Sequence, residues 1–318
     1  MVYAKKIALA APNRIGPEVW AVGGGKGGVG KSFISSSLAV CLARMGKSVI
    51  VIDLDLGSAN LHTCLGAKIP ALGLSDFLSG RATDFKSLIA ESDIPNLRFI
   101  SGFNDALDVA DLKATDRTRL MNAISLLPAG HVILDLGAGT SETTLDFFLS
   151  AHRQIVAVTP EPTAIENAYR FLKSSFYRKL RQAEGELGIK SLLDSAMDSQ
   201  NSLAIRTPAD LLRRVIEAHP GVGARFEAKI AEFHPSIVIN QTRTRADVEL
   251  GQSMRSVCTK YFGADVSYLG HVDHDNAVWQ SLRKRRPLII EYPYSSIVGQ
   301  FLGITKNLMN PQSIRAVV

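Results

Sequence analysis

Eight consecutive residues constrain this chain more than any others. Residues 25–32 have the sequence GKGGVGKS, which satisfies the pattern GxxxxGK[ST]. A short apolar run at 19–22 precedes them, and a helical pattern of apolar residues over 31–45 follows. Because a glycine-rich loop at the start of a helix presents N–H groups and a favourable dipole to negative charge, this unit predicts a phosphate-binding site. The strand–loop–helix setting disfavours the alternative, a glycine-rich turn with a chance lysine.

The lysine and the serine that end this loop carry its predicted chemistry. Lys31 is expected to reach the β- and γ-phosphates of a nucleotide, and the Ser32 hydroxyl is expected to ligate Mg²⁺. ATP and Mg²⁺ are therefore the predicted ligands. The other predicted nucleotide contacts come from the loop and the helix start, namely Gly25, Lys26, Gly27, Gly28, Val29, Gly30 and Phe33.

Short apolar runs alternate with longer amphipathic stretches along most of the chain. The predicted strands are 19–22, 48–53, 97–101, 131–136, 154–159, 236–240 and 266–272. The helical patterns between them include 31–45, 116–127, 141–151 and 247–261. Continuous apolar strands separated by helices predict an α/β fold with a mostly parallel central sheet and helices on both faces. Residues 174–234 show no convincing strand, so we expect a helical insertion within a single domain over 1–318.

Three aspartates lie at the C-terminal ends of two of the predicted strands. Asp53 and Asp55 lie two residues apart at a strand end, so both side chains are expected to point toward the edge of the sheet where ligands bind. Asp135 ends another strand and precedes Gly137 and Gly139. An aspartate at a strand tip can ligate Mg²⁺ through water, and the glycines provide a loop that can move when a γ-phosphate is lost. Ordinary solvated strand ends are the alternative for these acids.

The additional lysine of the loop, Lys26, makes a family resemblance specific. With it, the run GGKGGVGKS resembles the deviant Walker A motif of the MinD/ParA family of ATPases. In that family the lysine reaches across a nucleotide-sandwich dimer, which implies that Lys26 acts in trans while Lys31 acts in cis. The resemblance also implies that Asp55 orients or activates the attacking water and that Asp53 supports the magnesium shell held by Asp135. A solvated loop lysine is the alternative for Lys26.

Further segments resemble the flagellar-number branch of that family, FlhG/FleN, also called YlxH. Asn240 ends a strand where the family places an adenine-binding asparagine. The similarity covers about 18–173 and 235–305. Three other segments carry the resemblance. Two of them are 72–80 and 158–163, the latter with the following Ile165, Asn167, Ala168 and Tyr169. The third is 269–275, which resembles the family's segment near the base and ribose of the nucleotide.

The resemblance implies a switch in which ATP closes a homodimer and hydrolysis reopens it. Such a protein acts as a spatial or number regulator of flagella, cell poles or division sites, through a protein activator or effector that the sequence does not identify. A DNA-binding partition ATPase of the ParA type is the alternative. An iron–sulfur or metal-insertion enzyme of the same fold is a third class. Such an enzyme normally needs cysteines at the dimer interface, and none of Cys41, Cys64 and Cys258 is suitably placed for that role.

Composition limits where such a protein works. Apolar residues make up 46% of the 318, charged residues 21%, and the formal net charge is +6. No run of about 18 apolar residues is present, and the N-terminal apolar stretch soon meets Pro12 and Asn13, so neither a spanning helix nor an export signal is predicted. We therefore expect a cytoplasmic protein. The positive charge permits peripheral contact with the inner membrane face or with nonspecific DNA.

Three segments leave alternatives open. The basic run 283–286 fits a solvated helix C-terminus or a surface that contacts DNA or lipid. The basic helix around Arg170 and Arg178 is equally ambiguous. The apolar pattern over 294–309 fits a helix packed on the sheet better than a membrane-binding helix, because Lys306 is its only cation.

Overall fold

The computed structural model describes residues 16–55, 59–102, 112–197, 207–218 and 220–310. Within these residues, eight strands form one sheet. In chain order the strands are β1 (Glu18–Gly23), β2 (Val49–Leu54), β3 (Ala90–Glu91), β4 (Leu97–Ile100), β5 (His131–Leu136), β6 (Arg153–Val158), β7 (Ser236–Thr242) and β8 (Ser267–Asp273).

Helices connect most of these strands. A short 3₁₀ turn, Phe85–Leu88, precedes β3. The α-helices are α1 (Lys31–Arg44), α2 (Leu61–Leu65), α3 (Leu74–Leu78), α4 (Ala114–Ser125), α5 (Glu142–Ser150), α6 (Pro162–Leu187), α7 (Lys190–Met197), α8 (Pro208–Ala218), α9 (Pro220–Ala231), α10 (Arg245–Phe262), α11 (Asn276–Arg283), α12 (Leu288–Glu291) and α13 (Ser296–Met309).

The strand order across the sheet is β3-β4-β2-β5-β1-β6-β7-β8. Every neighbouring pair is parallel except β3 and β4, which are antiparallel. This confirms the predicted α/β fold, and all seven predicted strands agree with the observed ones to within two residues at each end. The sequence did not predict β3, because a two-residue edge strand is too short to leave a periodic pattern.

Two groups of helices cover the sheet. Helix α1 contacts β1, β2 and β5 and packs with α2, α12 and α13, whereas α5 contacts β1 and β5 and packs with α4 and α6. Aromatic edge-to-face pairs bind both groups to the core: Phe33 lies against Phe301 in the first, and Phe148 lies against Phe171 in the second. Such rings bury large apolar areas and dominate core energetics.

Helix α13 packs against the body of the protein, as its apolar pattern predicts. It contacts α1 and β8, and it buries Ile297, Phe301, Ile304 and Leu308. A helix whose apolar face is already covered has no surface left to insert into lipid. Residues 311–318 lie outside the described part of the chain.

The region between β6 and β7 is helical wherever the structure describes it. Residue 174, the predicted start of the insertion, lies inside α6, so the helix passes through that boundary without a break. Phe176 of α6, Phe233 before β7 and Phe262 of α10 form one aromatic cluster that fixes the helical region to the body. The single domain over 1–318 and its insertion stay proposals.

The parallel arrangement brings the predicted site residues to one edge of the sheet. The loop after β1 and the ends of β2 and β5 are adjacent, because these strands are neighbours in the order β2-β5-β1. Asp53 and Asp135 are directly paired across β2 and β5. In open α/β sheets, ligands bind outside the carboxyl ends of the strands.

Candidate functional site

The loop between β1 and α1 has the backbone that phosphate binding needs. Gly28 and Gly30 adopt φ angles of +81° and +91°, in the left-handed region that side chains other than glycine rarely occupy. Gly30 also caps α1, so the free N–H groups of the helix start face the loop. Gly25 packs so closely on α6 that a methyl group there would collide with the carbonyl oxygen of Asn167.

Asn240, near the end of β7, lies beneath this loop. Its side chain is buried, and its amide nitrogen donates a hydrogen bond of 2.8 Å to the Val29 carbonyl oxygen. The amide also lies against Gly30, where a Cβ atom would collide with it. Asn240 therefore fixes the loop from below. Its predicted contact with adenine stays a prediction.

The two loop lysines occupy different environments. Lys31 is 7% exposed, and its ammonium group donates to the Lys26 carbonyl oxygen at 3.4 Å. Burial lowers the pKa of Lys31, while the nearby charges of Asp135 and Asp55 oppose that shift. A cation held in this way inside the loop is available to an anionic ligand.

Lys26, by contrast, points along the outside of the loop. Its side chain is 39% exposed, and its ammonium group contacts Glu161 at 3.1 Å and the Thr163 hydroxyl at 3.0 Å. Both partners stand at the N-terminal end of α6. The structure thus separates one lysine inside the loop from one lysine at its rim.

Two buried carboxylates lie below the loop. Asp53 accepts hydrogen bonds from the backbone N–H groups of Asp55 and Leu61, at 3.1 and 3.0 Å. Asp135 accepts one from the Ser35 hydroxyl at 2.9 Å, and the Ser32 hydroxyl lies beside it. Burial raises the pKa of Asp53 and of Asp135, and for Asp53 the negative charge of Asp135 adds to the effect. A cation at this position would favour the charged form of both groups.

The residues present fit a magnesium ion. The Oδ2 atom of Asp135 is buried and has no hydrogen-bond partner among the described residues. Carboxylate and hydroxyl oxygens are ligands that Mg²⁺ prefers, and Mg²⁺ in nucleotide sites keeps waters and phosphate oxygens beside one or two protein ligands. Where the chain is described, no group of three or more His, Cys, Asp or Glu side chains is placed to hold a metal. Ser32 and Asp135 are therefore the candidate direct or water-mediated ligands.

The segments after β2 and β5 contact each other and the loop. A Cβ atom on Gly137 would lie 3.4 Å from a carboxylate oxygen of Asp55, and the Gly139 N–H donates to the Gly24 carbonyl oxygen at 3.2 Å. Gly139 has a φ of +94°. A displacement of either segment would therefore change the contacts that the start of the phosphate loop makes. Residues 56–58 lie outside the described part of the chain.

Sequence reasoning missed four side chains at this site. Ser35 holds Asp135, and its spacing of three residues from Ser32 on α1 was the available signal. Glu161 and Thr163 hold Lys26, and their position in the resembling 158–163 segment gave no indication of that contact. Cys64 lies close enough to Asp135 and Asp53 for their charges to add to the effect of burial, which raises the pKa of its thiol to about 12.

The basic segments are largely paired within the protein. Helix α11 ends at Arg283, as predicted for a helix C-terminus, and that guanidinium stacks on Trp279. Lys284 and Arg286 both contact Glu291. In α6, Arg178, Lys179 and Arg181 have acidic partners. Over the described residues, no helix combines the length and the apolar composition needed to cross a membrane.

The fold and the loop define the class of this protein: a nucleotide-binding protein with its phosphate loop at the carboxyl edge of an open α/β sheet. The chain belongs to the CobQ/CobB/MinD/ParA nucleotide-binding domain family, whose model matches residues 20–288. It is thus a P-loop ATP-binding domain of the MinD/ParA type.

Individual relatives agree with this family. The chain is 32% identical to the antiactivator FleN of Pseudomonas aeruginosa over 158 residues, 49% of this chain and 55% of FleN. It is 34% identical to the flagellum site-determining protein YlxH of Helicobacter pylori over 164 residues, 48% of this chain and 52% of YlxH. The match thus spans about half the length of each.

A solved structure shows the same fold over nearly the whole chain. The septum site-determining protein MinD of Pyrococcus horikoshii, complexed with Mg-ADP, superposes with a TM-score of 0.63 at 18% identity. The alignment covers 95% of this chain and 100% of that one.

One substitution separates the two roles of Asn240. We expect Asn240→Leu to weaken binding of ATP and of inorganic triphosphate by a similar factor, because the loop loses the support of the Val29 carbonyl group. The unpaired buried carbonyl should also lower the free energy of unfolding by about 1–3 kcal/mol. Calorimetric titration with both ligands and chemical unfolding test this. Loss of ATP binding with triphosphate binding intact would assign Asn240 to the base and not to the loop.

Proposed function

We propose that this protein is an Mg-ATP-dependent switch that dimerises with ATP bound and hydrolyses it to ADP and phosphate. The observation that carries the proposal is the division between the two loop lysines. Lys31 is buried inside the loop, whereas Lys26 is at its rim with a side chain that is 39% exposed. A single lysine is sufficient to bind phosphates in cis. A second lysine at the rim is best explained by a role across a dimer.

The chain's own residues account for binding and for sensing. Lys31 supplies positive charge to the β- and γ-phosphates, and the N–H groups of the loop and α1 supply donors. Ser32 and Asp135 would hold Mg²⁺, with Asp53 supporting that shell, and the bound ion would neutralise charge developing on the phosphates. Asp55 stands at the end of β2, where a carboxylate can orient the attacking water by accepting its hydrogen bond.

The contacts between the two segments explain how hydrolysis could change the surface of the protein. Asp55 approaches Gly137, and Gly139 is hydrogen-bonded to Gly24, so the three loops form one connected unit. In this proposal the γ-phosphate contacts this unit, so that its loss would change the positions of all three loops. Order and disorder of such segments are a common basis of nucleotide switches.

The cellular role we propose is spatial or number regulation, of flagella, cell poles or division sites. FleN is named an antiactivator, YlxH a flagellum site-determining protein and MinD a septum site-determining protein. A protein activator or effector, and peripheral contact with membrane or DNA in the cytoplasm, belong to this proposal. DNA partition of the ParA type is the second candidate, supported by the net charge of +6. DNA retention that needs ATP and falls with salt would favour it.

The trans role of Lys26 can be tested directly. We expect Lys26→Ala to bind ATP within a few-fold of the wild type, since Lys31 still supplies the charge inside the loop. Its turnover should fall by about 10³-fold or more, the range that a residue supplied in trans contributes in nucleotide hydrolysis. Calorimetric titration and phosphate release measure the two quantities.

A mixing experiment supplies the control. In a heterodimer of Lys26→Ala with Asp55→Ala, one site has an intact Asp55 and receives Lys26 from the other chain. The mixture should therefore hydrolyse ATP faster than either parent. If it shows no gain over both parents, the lysine does not act across a dimer.

A further inference from the structure

The middle of α6 carries three cations that each bind a different element. The Arg178 guanidinium donates four hydrogen bonds to two carboxylates of α5. The Lys179 ammonium group lies 3.1 Å from a carboxylate oxygen of Glu232, directly after α9. The Arg181 guanidinium lies 2.5 Å from a carboxylate oxygen of Asp194 in α7. A single turn of α6 therefore joins α5 to α7 and to the end of α9, which belong to the helical insertion.

Helix α5 begins directly after the segment that joins it to β5, residues 137–141. The Ser141 hydroxyl caps the helix by accepting a hydrogen bond of 3.2 Å from the Thr144 N–H group. The Gly139 N–H group donates to the Gly24 carbonyl oxygen, at the start of the phosphate loop. Because α5 starts at the residue after its cap, a displacement of this β5–α5 segment (137–141) would move the first turn of α5 as well.

Two acids of α5 form the other half of the ion network. Glu142 and Asp146 lie four residues apart, on one face of the helix. Arg178 of α6 binds both, at 2.8 to 3.2 Å, and Arg117 of α4 binds both, at 3.0 and 2.8 Å. We propose that Arg178 transmits the nucleotide state from the β5–α5 segment to the helical insertion, a role that rests on the proposed function, in which loss of the γ-phosphate repositions that segment.

Ion pairs suit this role better than the apolar contact beside them. Phe148 of α5 and Phe171 of α6 also touch, with ring centroids 4.9 Å apart, but apolar burial is not directional. A guanidinium that makes two hydrogen bonds to each carboxylate has a fixed geometry. Movement of the acids therefore displaces Arg178, and the neighbouring Lys179 and Arg181 carry that displacement to α9 and α7.

Replacing Arg178 with methionine removes this link and leaves the buried acid paired. Asp146 keeps its 2.8 Å contact with Arg117 and its 3.0 Å hydrogen bond from the Gln182 amide. Arg170→Met is the matched control, because Arg170 is exposed on the same helix and pairs with no acid in the described part of the chain. A further variant, Arg178→Lys, keeps the charge but cannot make the paired hydrogen bonds.

Hydrogen exchange followed by peptide mass spectrometry measures the transmission. It is recorded without nucleotide, with Mg-ADP and with Mg-ATP in the Asp55→Ala background, alone and combined with each variant. In the parent, ATP should slow exchange in the β5–α5 segment, and in α7, α8 and α9 by about fivefold or more, the lower range of coupling between two sites. Arg178→Met and Arg178→Lys should keep the first response and reduce the second to less than about twofold, whereas Arg170→Met should match the parent.

The outcomes separate transmission from a structural role. If Arg178 only stabilised the packing, its loss would change exchange in α7, α8 and α9 equally with and without ATP, and the ATP response would survive. A surviving response would overturn the proposal, as would an unresponsive insertion in a parent whose β5–α5 segment does respond. If Arg178→Met does not fold, Arg178→Lys decides between these results. A β5–α5 segment unaffected by bound ATP would instead contradict the proposed switch, and the transmission with it.

Discussion

Replacing Lys31 with alanine is expected to raise the ATP dissociation constant by about 10- to 150-fold, the cost of one charge-assisted hydrogen bond. Lys31 is buried inside the loop, and its ammonium group makes one long hydrogen bond, of 3.4 Å, to the Lys26 carbonyl oxygen. No other lysine of the described chain is placed inside the loop, so no cation replaces it. Titration calorimetry with ATP and Mg²⁺ measures the change.

The fold of the variant should survive. Burial lowers the pKa of Lys31. At a pH below the pKa that this lysine has in the unfolded chain, its positive charge therefore destabilises the folded protein. Its removal should therefore leave the thermal midpoint of the free protein within a few degrees of the wild type. Lys47→Ala is the matched control, since Lys47 is exposed just beyond the other end of α1. An unchanged ATP dissociation constant in Lys31→Ala would contradict the assignment of the loop.

Much of the site could be predicted from sequence because it depends on local patterns. The loop at 25–32 is contiguous and lies between a strand and a helix, so its position at the sheet edge follows from the strand pattern alone. Asp53 and Asp135 could be placed at strand ends for the same reason. Their direct pairing across β2 and β5 could not, because the strand order β2-β5-β1 depends on tertiary packing.

Contacts between segments that are distant in sequence could not be predicted. The hydrogen bond from the Asn240 amide to the Val29 carbonyl oxygen, across 211 residues, had no counterpart in the sequence analysis, and the adenine contact of Asn240 stays a prediction. Glu161 holds Lys26 across 135 residues. Such contacts arise only when β6 is placed beside β1 and β7 beside β6. Nothing in the local pattern near residues 161 or 240 specifies their partners. By contrast, the packing of α13 was predicted correctly, since its apolar spacing is a local property.

Asp55→Ala is expected to have the second large effect, by keeping the protein in its ATP-bound form. Loss of the carboxylate that orients water should reduce turnover by about 10²- to 10⁴-fold. Binding should survive, because the negative charge removed is one that acts near Lys31 and would repel a triphosphate. Since ATP shifts the equilibrium only through differential contacts with the closed state, slow hydrolysis should allow the dimer to accumulate.

The central claim is that ATP, and not ADP, closes a dimer of this chain. Light scattering of Asp55→Ala at one protein concentration, with ATP, with ADP and without nucleotide, tests it most directly. We expect a mass near twice the chain's 34.4 kDa with Mg-ATP and near 34.4 kDa in the other two conditions. Equal masses in all three conditions would contradict a nucleotide-gated dimer, even if the protein hydrolyses ATP.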